Sequence, residues 1–179
     1  MRARGTMLGM VMVVMSAAVA VAQEPPAPQP TEEHKALEAW VGTWSGQGEM
    51  KPGPFGPGGA MSWTEECSWF EDGGFHVICR SQGTGAMGES KGIGIIGYHA
   101  EKKVYTHYGV DSSGWASYSE GTRTGDTWTL QSEEMMGGMT FFGRATMTMT
   151  SPSTMRFTYE MSEDGSTWTV MMEGTTTKR

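Results

Sequence analysis

The chain has 179 residues, a formal net charge of −7, 26 glycines, 17 methionines and two cysteines. An acidic balance of this size argues against nucleic acid or an anionic membrane surface as partner. No asparagine occurs anywhere, so there is no N-linked glycan acceptor and turns must use Gly, Asp, Ser and Pro.

The chain opens with Arg2 and Arg4, runs through an apolar stretch from Met7 to Val21, and reaches small residues at Ala18, Ala20 and Ala22. That order reads as a secretory signal peptide over 1–22, removed after Ala20 or Ala22. Ser16 and the alanines dilute the stretch relative to a membrane span, and no cysteine follows it to carry a lipid. The expectation is a secreted or periplasmic protein. Residues 23–30, Q-E-P-P-A-P-Q-P, form a Pro-rich linker that stays extended. The folded domain is expected over 31–179, long enough for one core. With the leader gone, 11 basic residues face 20 acidic ones.

Thr31 followed by Glu32 and Glu33 is a helix start, with a capping hydroxyl and acids at the positive end of the dipole. The helix is expected to end by Gly42. Beyond it, short alternating runs are separated by turn residues, the pattern of an all-β domain. Ten strands are predicted near 43–51, 61–70, 75–84, 91–99, 103–110, 115–123, 126–132, 139–150, 154–161 and 167–176. Such strands, each with one apolar face, must close or stack. A helix followed by a meander favours an antiparallel up-and-down barrel, with a β-sandwich as the alternative.

Turn chemistry predicts register. A three-residue turn at Ser151-Pro152-Ser153 pairs Met149 with Met155, Met147 with Phe157, Ala145 with Tyr159 and Gly143 with Met161. Taking Asp164-Gly165 as a two-residue hairpin turn pairs Met161 with Trp168, Tyr159 with Val170 and Phe157 with Met172. Phe157 and Trp168 then share one interior surface. A loop at Asp72-Gly73-Gly74 sets Cys67 opposite Cys79, within reach of a disulfide, which export would preserve.

The stretch L-E-A-W-V-G-T-W-S-G over 37–46 carries a G-x-W at the entry to the first strand and resembles the calycin superfamily of lipocalin-like barrels. With E-H-K-A-L at 33–37, G-I-G-I-I-G-Y at 92–98 and S-E-D-G-S-T-W at 162–168, the order of motifs is similar to an exported bacterial family catalogued as domain of unknown function 1579. That resemblance implies a barrel shared with nitrobindins, which hold haem through a histidine late in the chain. Here the last histidine is His107, so that ligand position has no match and no cofactor is expected.

Other motifs carry bland readings. Gly92-Ile93-Gly94-Ile95-Ile96-Gly97 satisfies G-x-G-x-x-G, but strand follows it and not the helix a dinucleotide site needs. Gly88-Glu89-Ser90-Lys91-Gly92 satisfies G-x-S-x-G, yet the first aspartate after Ser90 is Asp111 and no histidine follows that. It reads as a loop. His76, His99 and His107 lack zinc spacing and read as structural or exposed. Twelve methionines remain after the leader. Most fall on apolar strand faces, while Met135, Met136 and Met139 offer a minor Cu(I)-binding alternative. Glu65 and Glu66 point to opposite faces; Glu65 shares the phase of Cys67 and Trp69 and is read as a rim position.

The functional expectation is a non-enzymatic binding barrel taking a small apolar or aromatic molecule among Trp44, Trp63, Phe157 and Tyr159. The alternative is a structural or interaction module with a filled interior and no ligand.

Overall fold

The computed structural model describes residues 27–53, 56–71 and 73–179. The expected leader, the first half of the linker and Asp72 lie outside the described residues.

Glu32–Lys35 make one turn of α-helix (α1), which tightens into a 3-10 turn over Ala36–Trp40. His34 closes the start: its Nδ1 accepts the Thr31 N–H at 3.1 Å and lies 2.9 Å from the Thr31 hydroxyl. Ten strands follow: β1 Gly42–Met50, β2 Gly59–Trp69, β3 His76–Gly85, β4 Gly88–His99, β5 Val104–Asp111, β6 Ala116–Thr124, β7 Thr127–Met136, β8 Met139–Ser151, β9 Thr154–Ser162 and β10 Thr169–Lys178. Each pairs antiparallel with its sequence neighbours, and β1 also pairs with β10. The sheet is a closed up-and-down barrel, as the meander predicts, and closure excludes the sandwich. Ser90, read as a loop residue, lies in β4, because Gly85 pairs with Gly88 and only Ala86-Met87 make the turn.

Two of the three predicted registers hold. Cys67 faces Cys79 with Cα atoms 4.0 Å apart, and the two form a disulfide. The β8–β9 pairs Met149–Met155, Met147–Phe157, Ala145–Tyr159 and Gly143–Met161 are all present. The turn between them is shorter than predicted: Ser151 pairs with Thr154, and a bulge between Met149 and Ser151 absorbs the difference.

The β9–β10 register is a correction. Met161 pairs with Thr169, Tyr159 with Met172 and Phe157 with Gly174, in place of Trp168, Val170 and Met172. Asp164 is the cause. Its Oδ1 accepts the N–H groups of Ser166 and Thr167 at 2.8 and 2.7 Å, and the Ser162 hydroxyl at 2.9 Å. That side-chain turn competes with a tight hairpin and delays β10 to Thr169. Trp168 therefore packs outside, under the Arg144 guanidinium at 4.1 Å, which itself holds Glu160 at 2.8 Å. Phe157 and Trp168 lie on opposite sides of the sheet. The interior survives because a bulge between Val170 and Met172 returns Met172, Gly174 and Thr176 to the faces of Tyr159, Phe157 and Met155.

Two buried clusters occupy the two ends of the barrel. At the helical end Leu37, Trp40, Trp44, Val77, Ile96, Tyr105 and Trp128 pack together. Large side chains buried this completely contribute about 1.5–3 kcal/mol each. The plug is tied by polar bonds: the Trp44 indole N–H donates to the Trp40 carbonyl at 2.7 Å, that of Trp69 to Glu38 at 2.7 Å, and the Tyr105 hydroxyl to the Glu33 carbonyl at 3.2 Å. At the other end Phe141, Met161 and Met171 form a smaller cluster. No helix among the described residues is long and apolar enough to cross a membrane.

Candidate ligand cavity

Inner strand positions alternate with outer ones, and in this barrel several inner positions carry glycine or serine beside a large neighbour. Gly46 lies opposite Trp63 and Gly94 lies near His107: a Cβ at Gly94 would stand 2.8 Å from the His107 Nε2. The glycines leave room for those rings to lie against the wall. Between the two end clusters this opens a cavity of about 320 Å³. Trp40, Ile96 and Leu130 form its floor above the plug, and Met61, Trp63, Met147 and Phe157 contribute to its walls. Trp63 and Phe157 meet edge to face, with centroids 5.3 Å apart at 83°, the arrangement that ring quadrupoles favour.

Two ionisable side chains project into this apolar space, Glu65 from β2 and His107 from β5. Neither has a hydrogen bond or an ion pair among the described residues. Burial raises the Glu65 carboxyl above its usual range and lowers the His107 ring below its own, because a low-dielectric site disfavours the charged form of each. Both are held toward neutrality, and both keep polar atoms with no partner. Ser119 pairs with His107 across β5–β6 and also lines the cavity, and no hydrogen bond joins the two side chains.

A second polar group lies toward the end away from the helix. Glu134 is buried and its carboxyl raised by that burial. The Tyr159 hydroxyl is pushed up to about 12, first by burial and then by the Glu134 charge. Ser132 interacts with both, and Gly143 leaves the space: a Cβ there would stand 2.6 Å from both the Ser132 and Tyr159 oxygens.

Of the residues expected to hold a ligand, Trp63 and Phe157 line the cavity. Trp44 does not; it is 1% exposed within the plug, with the Lys178 ammonium 4.8 Å from its ring. Tyr159 belongs to the Ser132–Glu134 group. Glu65 corrects the sequence reading, since it is not a rim residue, and of the two readings for His107, structural or exposed, the exposed one does not hold. The signal for Glu65 was present in its phase with Cys67. The obstacle was depth: β2 continues six residues beyond Glu65 toward the far end, to Gly59.

The remaining candidates disperse. His76, His99 and His107 do not gather, and among the described residues the one set of metal-type donors within 4.8 Å is Glu65, Cys67 and Cys79. Both sulfurs are consumed by the disulfide, so no thiolate is offered. In the methionine loop, Met136 pairs with Met139 and partly packs on the far-end cluster, while Met135 is 76% exposed and on the opposite face. The three thioethers do not converge.

Solved structures of similar fold include Rv2717c from M. tuberculosis, at 14% identity and a TM-score of 0.55, covering 80% of this chain and 97% of that one. The S-type phycobiliprotein lyase CPES from Guillardia theta is similar at 11% identity and a TM-score of 0.53, covering 85% of this chain and 98% of the other. Identities this low carry the fold alone. No curated protein matches the chain in sequence. The pattern that defines the family described as "Protein of unknown function (DUF1579)" matches residues 29–178, and the chain belongs to that family.

Proposed function

We propose that the protein is a non-enzymatic, exported carrier that holds one small, largely apolar molecule inside its barrel. The observation behind this reading is the pair Glu65 and His107, two half-buried polar groups without partners among the described residues, facing a cavity otherwise lined mainly by apolar side chains. Buried polar groups left unpaired cost stability. A guest that meets them recovers that cost on binding. The volume of about 320 Å³ falls at the small end of ligand pockets, roughly 300–1,000 Å³, and well above the filled interior that a purely structural module would have. The exported reading is supported by the leader-like residues 1–22 and the disulfide.

The test is mass spectrometry of protein purified from its native source, first under non-denaturing conditions and then after solvent extraction. The expected result is a small molecule released in near-equal amount, from a chain that lacks its first 20 or 22 residues. Protein that arrives empty and then binds none of a panel of apolar fluorescent probes would overturn the carrier reading.

A further inference from the structure

Glu65 and His107 do more than mark the cavity; they restrict what enters it. Among the described residues no lysine or arginine lines the space, and these two are its only ionisable side chains. A guest carboxylate would therefore meet the Glu65 carboxyl with only an imidazole to neutralise it, and burial already opposes charging that ring. A guest ammonium would need Glu65 ionised. One Glu65 carboxylate oxygen lies within 4.8 Å of the Cys67 and Cys79 sulfurs, and no hydrogen bond to the carboxyl offsets its burial among the described residues. An ionised carboxylate there would lack most of its bonds, and the ammonium would keep donors that apolar walls leave unmet.

Neutral groups fit better. A protonated carboxyl offers one donor and an acceptor, and a neutral imidazole offers one of each. The walls beside them are the Trp63 and Phe157 rings, set edge to face, which suit a flat aromatic body. We infer that the cavity selects a neutral aromatic molecule whose polar edge carries both a hydrogen-bond donor and an acceptor, such as a carboxamide or lactam, and discriminates against carboxylates and ammonium ions built on the same rings. This rests on the carrier reading and names the chemical class of its guest.

Four probes sharing one apolar body test it: naphthalene, 2-naphthamide, 2-naphthoate and 2-naphthylmethylammonium, titrated into the purified protein at pH 7 and followed by tryptophan fluorescence and calorimetry. Naphthamide is expected to bind about tenfold or more tighter than either charged probe, the ratio that one or two buried hydrogen bonds supply. Glu65→Leu and His107→Leu are each expected to lower the ratio of naphthamide to naphthalene affinity by about tenfold. Glu65→Gln, which stays neutral with a donor and an acceptor, keeps the preference and guards against a folding artefact in the leucine variants. A charged probe equal to or tighter than the amide would overturn the inference, as would amide binding untouched by Glu65→Leu. Naphthalene binding without amide preference removes this inference alone; failure of all four probes also removes it, and in a protein that arrives empty removes the carrier reading with it.

Discussion

Gly46 lies so close beneath Trp63 that a Cβ built on it would stand 2.1 Å from two carbons of the indole. The two residues are direct partners across β1–β2, and the ring lies over bare backbone.

Gly46→Ala is therefore expected to lift the Trp63 ring off the wall and into the cavity. Overpacking of this kind costs about 1–3 kcal/mol of stability, read from the denaturant midpoint. Binding of naphthalene is expected to weaken by about tenfold or more, because the displaced indole takes up space that the guest would fill. Unchanged binding would mean that the indole does not bound the guest.

The disulfide closes a loop with a sequence separation of 12, and the chain-entropy model assigns such a loop about 3 kcal/mol. Reduction, or the double change Cys67→Ala and Cys79→Ala, is expected to lower unfolding stability by about that amount. A drop of less than about 1 kcal/mol would show that β2 and β3 are already confined against each other in the unfolded ensemble.

Stability is expected to respond to pH through the two cavity residues with opposite signs. Glu65 has a raised folded-state value, so folding favours its protonated form. The stability it contributes is present below the ordinary carboxyl value of 4.5 and is lost as pH rises through the folded value. His107 has a lowered value, so folding favours its neutral form; stability is present above the ordinary imidazole value of 6.5 and is lost as pH falls through the folded value. Among the described residues no other ionisable side chain lines the cavity to offset either change. Glu65→Gln is expected to exceed the native protein in stability at pH 7–8 and to match it near pH 4. His107→Gln shows its advantage only below about pH 6.5. Urea titrations across pH 4–8 measure both, and a constant difference over that range would contradict the assignment.

Much of the wall was legible in the chain. The alternation of Met147, Met149, Met155 and Phe157 with threonines and arginines placed β8 against β9 correctly, bulge apart, because a one-residue slip would turn every side chain over. The spacing of Cys67 and Cys79 around a glycine-rich turn gave the disulfide for the same reason. What failed was local competition: Asp164 satisfies the backbone N–H groups of Ser166 and Thr167 itself, and a D-G pair reads the same whether or not its aspartate is so engaged. The cavity was harder. Period-two phase says that Glu65 faces inward but not how deep it lies, since depth depends on strand tilt and stagger around the ring. His107 looked isolated along the chain because the glycine that makes room for it, Gly94, sits on the adjacent strand.

The seam between β1 and β10 has a further consequence. Trp44 pairs with Lys178 and Met50 with Met172, while Arg179 N–H reaches the Thr43 carbonyl at 2.8 Å, so the first strand waits for the last before it gains its second neighbour. A ribosome-bound chain still lacking residues 169–178 presents two open sheet margins at once, each a template for pairing with another copy. Completion of the ring is thus a late event that joins distant parts of the chain, and such long-range closure is slow. Anything that delays it, from a stalled ribosome to a missing β10, converts a sealed cylinder into an adhesive ribbon.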